Sequence, residues 1–101
     1  MAVRDAHAQG IGQEFADAVR ALLAAQRLWV AAQSHSFDVW LLTTAIPLEA
    51  ERPFYEASVA LEDAFPGTSI SFHLLNPRHF PEADPAELLP DGAVEIPLRS
   101  A

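Results

Sequence analysis

Residues 37 to 75 constrain this chain more than any other stretch. Phe37-Asp38-Val39-Trp40-Leu41-Leu42-Thr43-Thr44 is rich in β-branched and aromatic residues, the composition that suits a pleated, half-buried surface. Thr68 to Leu75 alternates, with Ile70, Phe72 and Leu74 on one side and Ser69, Ser71, His73 and Leu75 on the other, which is the period of a strand with one buried face. Between these runs stands a helix. Pro53 is tolerated only in a first helical turn, Phe54, Ser58, Leu61 and Phe65 share one helical face, and Pro66-Gly67 closes the segment. Strand, helix, strand follows, and a connection of this length lets the two strands run parallel.

The flanks extend this unit. Residues 1–10 lack a period and end in Gly10, so a disordered tail is expected there. Ile11, Phe15, Val19, Leu22 and Leu23 predict a helix over roughly 11–26. Leu28 to Ala32 is compatible with a helix or a strand, and the polar Gln33-Ser34-His35-Ser36 that follows favours a strand hairpinned onto 37–44. Asp84-Pro85-Ala86-Glu87 opens a short helix through Leu89. Val94 to Leu98 alternates around Pro97, which marks an edge strand. The expected fold is an α/β (α+β) two-layer sandwich over residues 11–101, with one mixed sheet of about four strands and two main helices on one face. Phe37, Val39, Leu41 and Thr43 then face the helices with Ile70, Phe72 and Leu74. Asp38, Trp40, Leu42, Ser71, His73 and Leu75 face the other way, onto a side the sequence leaves uncovered.

Composition narrows the function. The 101 residues leave room for one domain. They carry a formal net charge of −8, and all six basic residues are Arg, scattered singly. Nucleic-acid readers neutralise phosphates with clustered bases, and anionic membranes attract the same clusters, so neither is an expected partner. A basic protein would be attracted, and Glu82, Asp84, Glu87, Asp91 and Glu95 form an acidic strip without a base. With no Cys, disulfides, thiolate chemistry and Cys-containing zinc sites are excluded. The N-terminal residues show no apolar signal core, and the most apolar run, 21–32, is far shorter than the ~20 residues that span a bilayer. A cytoplasmic protein is expected.

The order of elements, with Asp38 at the start of the second strand and the run Phe37 to Leu42, resembles the minimal nucleotidyltransferase fold. The likeness extends from about Leu28 to Leu98 and includes Ser69 to Leu75 with Asn76-Pro77-Arg78-His79-Phe80. Active members of that family carry a Gly-Ser pair, an Asp-x-Asp on the second strand and a third carboxylate, the set that two-metal phosphoryl chemistry uses. Here the Asp-x-Asp place holds Asp38-Val39-Trp40, no Gly precedes Ser34, and the third strand offers Ser71 or His73 without an acid. The resemblance therefore implies a catalytically incomplete domain, with Asp38, Ser34, His35 and His73 left to bind nucleotide or metal.

Other constellations are weaker. His35, Asp38, His73 and His79 are possible metal ligands, but their spacing fits no metal signature. Gly10-Ile11-Gly12 has no strand before it and is not a phosphate loop. No serine lies in the context of a nucleophile elbow, so neither catalysis nor a cofactor is expected. Trp40, Leu42 and Leu75, framed by Asp38, Ser71 and His73, form the surface expected to matter most, because exposed aromatics with a polar rim mark interfaces; the equal alternative is that the tail over 78–101, with Phe80, Leu88, Leu89 and Ile96, folds over this face and makes it core. The expected function is protein–protein interaction, either with itself as a homodimer or as the acidic member of a pair. The alternatives are the nucleotide-binding domain above and a small-molecule sensor with a pocket around Tyr55 and Trp40.

Overall fold

The computed structural model describes residues 2–79 and 84–98. The elements are α1 (Ala2–Val19), β1 (Ala25–Ala32), β2 (Phe37–Thr43), α2 (Arg52–Ala64), β3 (Ile70–Leu75) and β4 (Val94–Ile96), with single 3-10 turns at Leu48–Glu51 and Pro85–Leu88. The sheet order is β3-β2-β1-β4. β1 pairs antiparallel with β2 and β4, and β2 pairs parallel with β3. This is the expected α+β sandwich. Along β2, Phe37, Val39, Leu41 and Thr43 are buried under the helices while Asp38, Trp40 and Leu42 are half-buried on the far side. Pro97 follows β4 at the sheet edge, where a missing N–H costs no ladder bond.

The first helix departs from expectation at both ends. Residues 2–10, expected as a tail, are helical, and Ala8 and Ile11 are buried while His7 meets Phe37 edge to face. The helix also stops at Val19, and β1 begins three residues before Leu28. Ala24 and Ala25 join the ladder, since Thr44 N–H donates to the Ala24 carbonyl at 2.9 Å and Ala25 pairs with Thr43. Leu23, expected in the helix core, is 85% exposed. Sheet pairing has overridden helix propensity here, as tertiary contacts commonly do.

Gly12 explains why a helix runs through two glycines. A Cβ at Gly12 would lie 2.6 Å from Ile96 Cγ1 and 3.1 Å from Val30 Cγ2, so the missing side chain lets α1 settle onto the sheet. Gly10 has nothing within 4 Å of that position. The two alanine variants are therefore expected to shift stability in opposite directions. Gly10→Ala gains about 0.5–1 kcal/mol by restricting the unfolded chain. Gly12→Ala falls about 1 kcal/mol below wild type, because overpacking of about 1–3 kcal/mol outweighs that gain. Urea unfolding of both variants tests this, and a Gly12→Ala protein as stable as Gly10→Ala would mean that the close approach is not needed.

Candidate functional site

On the face away from the helices, strand register lines up Glu95, Trp29, Trp40 and His73 across the sheet. Trp40 and His73 stack with centroids 4.0 Å apart and planes 15° apart, and His73 Nε2 lies 3.4 Å from Asp38 Oδ1. Arg27 sits 4.7 Å over the Trp29 ring, while its Nε and Nη2 donate to the two Glu95 oxygens at 3.0 and 2.7 Å. A cation between an indole and a carboxylate shields the ring from water. The chain between β3 and β4 must cross the sheet from one edge to the other. Arg27, Leu42 and Leu75 form the neighbouring row of the same face.

The residues expected to form an interface differ in exposure. Trp29 and Leu75 are each 5% exposed, Trp40, Leu42 and His73 are half-buried, and Trp40 Nε1 is enclosed with no hydrogen-bond partner among the described residues. Leu75 is core, so the four residues do not make an open patch. Phe80 and Glu82, assigned from sequence to the covering tail and the acidic strip, lie outside the described residues.

The Arg27 hydrogen bonds hold the Glu95 carboxyl below its ordinary range, against burial that raises it, with the Arg27 charge acting in the same direction as the hydrogen bonds. A carboxyl depressed on folding stabilises above its unfolded pKa, and that contribution disappears as pH falls through the folded value. Wild type and Glu95→Gln should therefore differ slightly at neutral pH and converge in acid, as followed by thermal melts. A gap that widens on acidification would contradict the assignment.

A second cluster lies beyond the carboxyl ends of β2 and β3, the place where open α/β sheets bind ligands. Glu51 and Asn76 are both buried. Asn76 Oδ1 accepts from Ile46 N–H at 3.2 Å and Arg78 N–H at 3.1 Å, and its Nδ2 donates to the Ile46 carbonyl at 2.8 Å and to Glu51 Oε2 at 2.7 Å. His79 Nε2 is 2.9 Å from the same Glu51 oxygen. A carboxylate beside an imidazole can orient a general base. Here, however, Asn76 spends its amide tying the 44–47 loop and the 3-10 turn to the end of β3. No local sequence pattern marks Glu51, because its partners Asn76 and His79 lie 25 and 28 residues away.

The remaining sequence candidates are dispersed. Ser34 and His35 are exposed in the β1–β2 turn. Tyr55 lies on the helix side with its ring 5.6 Å from Phe72, whereas Trp40 lies on the opposite side against His73, so the sheet separates the pair proposed for a sensor pocket. Among the described residues, no three His, Asp or Glu side chains converge as a metal set. Hollows of about 300 Å³ between α1 and α2 and about 240 Å³ beside β4 are lined by none of Ser34, His35, Asp38 or Tyr55. No helix among these residues is long and apolar enough to cross a membrane.

The free edge of β3 is the feature that sequence analysis did not single out. Phe37 N–H donates to the Ser69 carbonyl at 2.9 Å and Phe37 stands opposite Ile70. In a parallel ladder of this phase, residues 69, 71, 73 and 75 bond to β2. Ile70, Phe72 and Leu74 therefore direct their N–H and C=O groups away from the sheet, while their side chains pack into the core. Just beyond β3, His79 contacts Glu51 of the β2–α2 connection. Tyr55, whose ring meets Phe72 of β3, is 47% exposed, and Val59, one turn further along α2, is 56% exposed. Partial burial and, secondarily, the Glu51 charge raise the Tyr55 phenol above its ordinary pKa.

Comparison with known proteins finds no matching family model, no matching curated protein and no matching solved structure.

Proposed function

We propose that this domain is a non-enzymatic protein–protein interaction module that receives a strand along the free edge of β3. The carrying observation is that edge itself, Ile70 to Leu75, which among the described residues is paired on one side, with β2. Natural edge strands deter pairing with charge, proline or bulges, and Ile-Ser-Phe-His-Leu-Leu has no Asp, Glu, Lys, Arg or Pro and holds continuous register with β2. The exposed Tyr55 and Val59 extend the edge with apolar surface of the kind that anchors added strands. The net charge of −8 favours a basic strand over an acidic one.

Titration with a soluble peptide, the β3 sequence flanked by lysines, tests this. Amide spectra should shift saturably at Ile70, Phe72 and Leu74, with affinity falling as salt rises. Binding that leaves these three amides unchanged, or no binding at millimolar peptide, would overturn the reading.

A nucleotide-binding role has one observation in its favour, the adjacency of Asp38, His73 and the Trp40 ring on the outer face. It requires a magnesium- and nucleotide-dependent rise in Tm that Asp38→Asn abolishes. The strand-edge reading expects none.

A further inference from the structure

We propose that the strand received by β3 is β3 of a second copy, paired antiparallel about a two-fold axis through Phe72. This rests on the reading of β3 as a pairing edge, and names its partner.

The argument is one of self-complementarity. A two-fold axis perpendicular to a sheet brings like edges together antiparallel. The outward groups belong to residues 70, 72 and 74, so an axis at Phe72 sets Ile70 against Leu74 and Phe72 against its own copy. All three are then hydrogen-bonded pairs in which every outward N–H and C=O of the edge finds a partner. An axis displaced by half a residue would oppose outward groups to inward-bonded ones and make none of these bonds, and an axis at Ser71 or His73 keeps only two of the three pairs within the strand. On the outer face the same axis sets Ser71 opposite His73 of the second copy, a neutral polar pair with no like charges opposed. On the helix face it places Tyr55, whose ring rests on Phe72 at 5.6 Å, beside its own copy, covering apolar surface that the single chain leaves exposed. The result is a continuous sheet of eight strands with the helices of both copies on one side. Such a pairing also removes the one long unprotected edge, a liability in a single chain.

Charge gives the dimer a signature. Each copy carries a net charge of −8, so the copies repel at long range and association tightens as salt screens that repulsion. A lysine-flanked strand peptide shows the opposite dependence.

Sedimentation equilibrium across protein and salt concentration, paired with amide hydrogen exchange, tests the proposal. The expected result is a reversible dimer that strengthens with salt and protects the amides of Ile70, Phe72 and Leu74 in proportion to dimer. Tyr55→Glu should weaken it about a hundredfold, roughly tenfold for each of two symmetry-related side chains, with the circular dichroism of the wild type. Ser71→Lys, exposed on the outer side, is a second variant expected to weaken it without touching the core. A dimer that leaves those three amides in fast exchange would overturn the proposal. A monomer at every concentration that still binds the strand peptide at β3 would overturn self-pairing while leaving the module reading standing. A monomer that binds no strand peptide would overturn both.

Discussion

Asn76→Ala is expected to remove about 4 kcal/mol of folding stability, much of the roughly 5–15 kcal/mol typical of a domain this size. The Asn76 side chain makes four hydrogen bonds in a buried site: from Ile46 N–H, from Arg78 N–H, to the Ile46 carbonyl and to Glu51. Truncation leaves those groups without the amide, at about 1–3 kcal/mol for each that stays buried and unsatisfied. Relaxation of the loop recovers part of this. The Glu51 carboxylate is 5% exposed and would keep only His79 of its two described partners, so a charge loses half of its solvation by protein. Glu51→Gln retains an accepting oxygen for Asn76 and should cost clearly less. Urea unfolding of both variants gives the comparison. A loss under about 1 kcal/mol for Asn76→Ala would mean that water readily replaces the amide, and that the cluster does not hold the loop to β3.

Phe15→Ala is expected to cost a similar amount, about 3–5 kcal/mol, through a different mechanism. Phe15 is 0% exposed, and its ring lies 5.2 Å from that of Phe72, so α1 and the edge strand meet through this pair. Deleting the ring loses its transfer free energy and leaves a cavity between a helix and a sheet, both held by other contacts and unable to collapse fully. Phe15→Leu, which fills most of that volume, should cost about 1–1.5 kcal/mol. If Phe15→Ala proved no worse than Phe15→Leu, the core here would have to be loosely packed. The Phe72 ring also meets Tyr55 edge to face, so the Phe15 variant is a test of folding and not of the β3 edge.

Trp40→Asp on the outer face is likewise a test of folding. It would remove a ring stacked on His73 and put a charge where the indole nitrogen is enclosed.

Which residues of β2 and β3 point inward was legible in the sequence. The alternation of Phe37, Val39, Leu41 and Thr43 is a property of neighbouring residues, and a strand can satisfy it only by burying that side. The same holds for α2, whose Pro53, Phe54, Leu61 and Pro66-Gly67 state its start, face and end locally. The order of elements followed from these segments alone. The tertiary structure decided what depends on distant partners. Gly12 resembles a breaker until Ile96, 84 positions later in the chain, occupies the space its side chain would need. Leu75 and Trp29 lie on the face away from the helices and are nonetheless buried, Trp29 beneath the Arg27 guanidinium, which no neighbouring-residue pattern announces. Glu51, Asn76 and His79 carry no shared local pattern, and only chain closure brings them together. The free edge of β3 exists because pairing places β1 and β2 inside and leaves β3 outermost. Strand order is set by long-range packing and hydrogen bonding, to which residue periodicity along a single strand is blind.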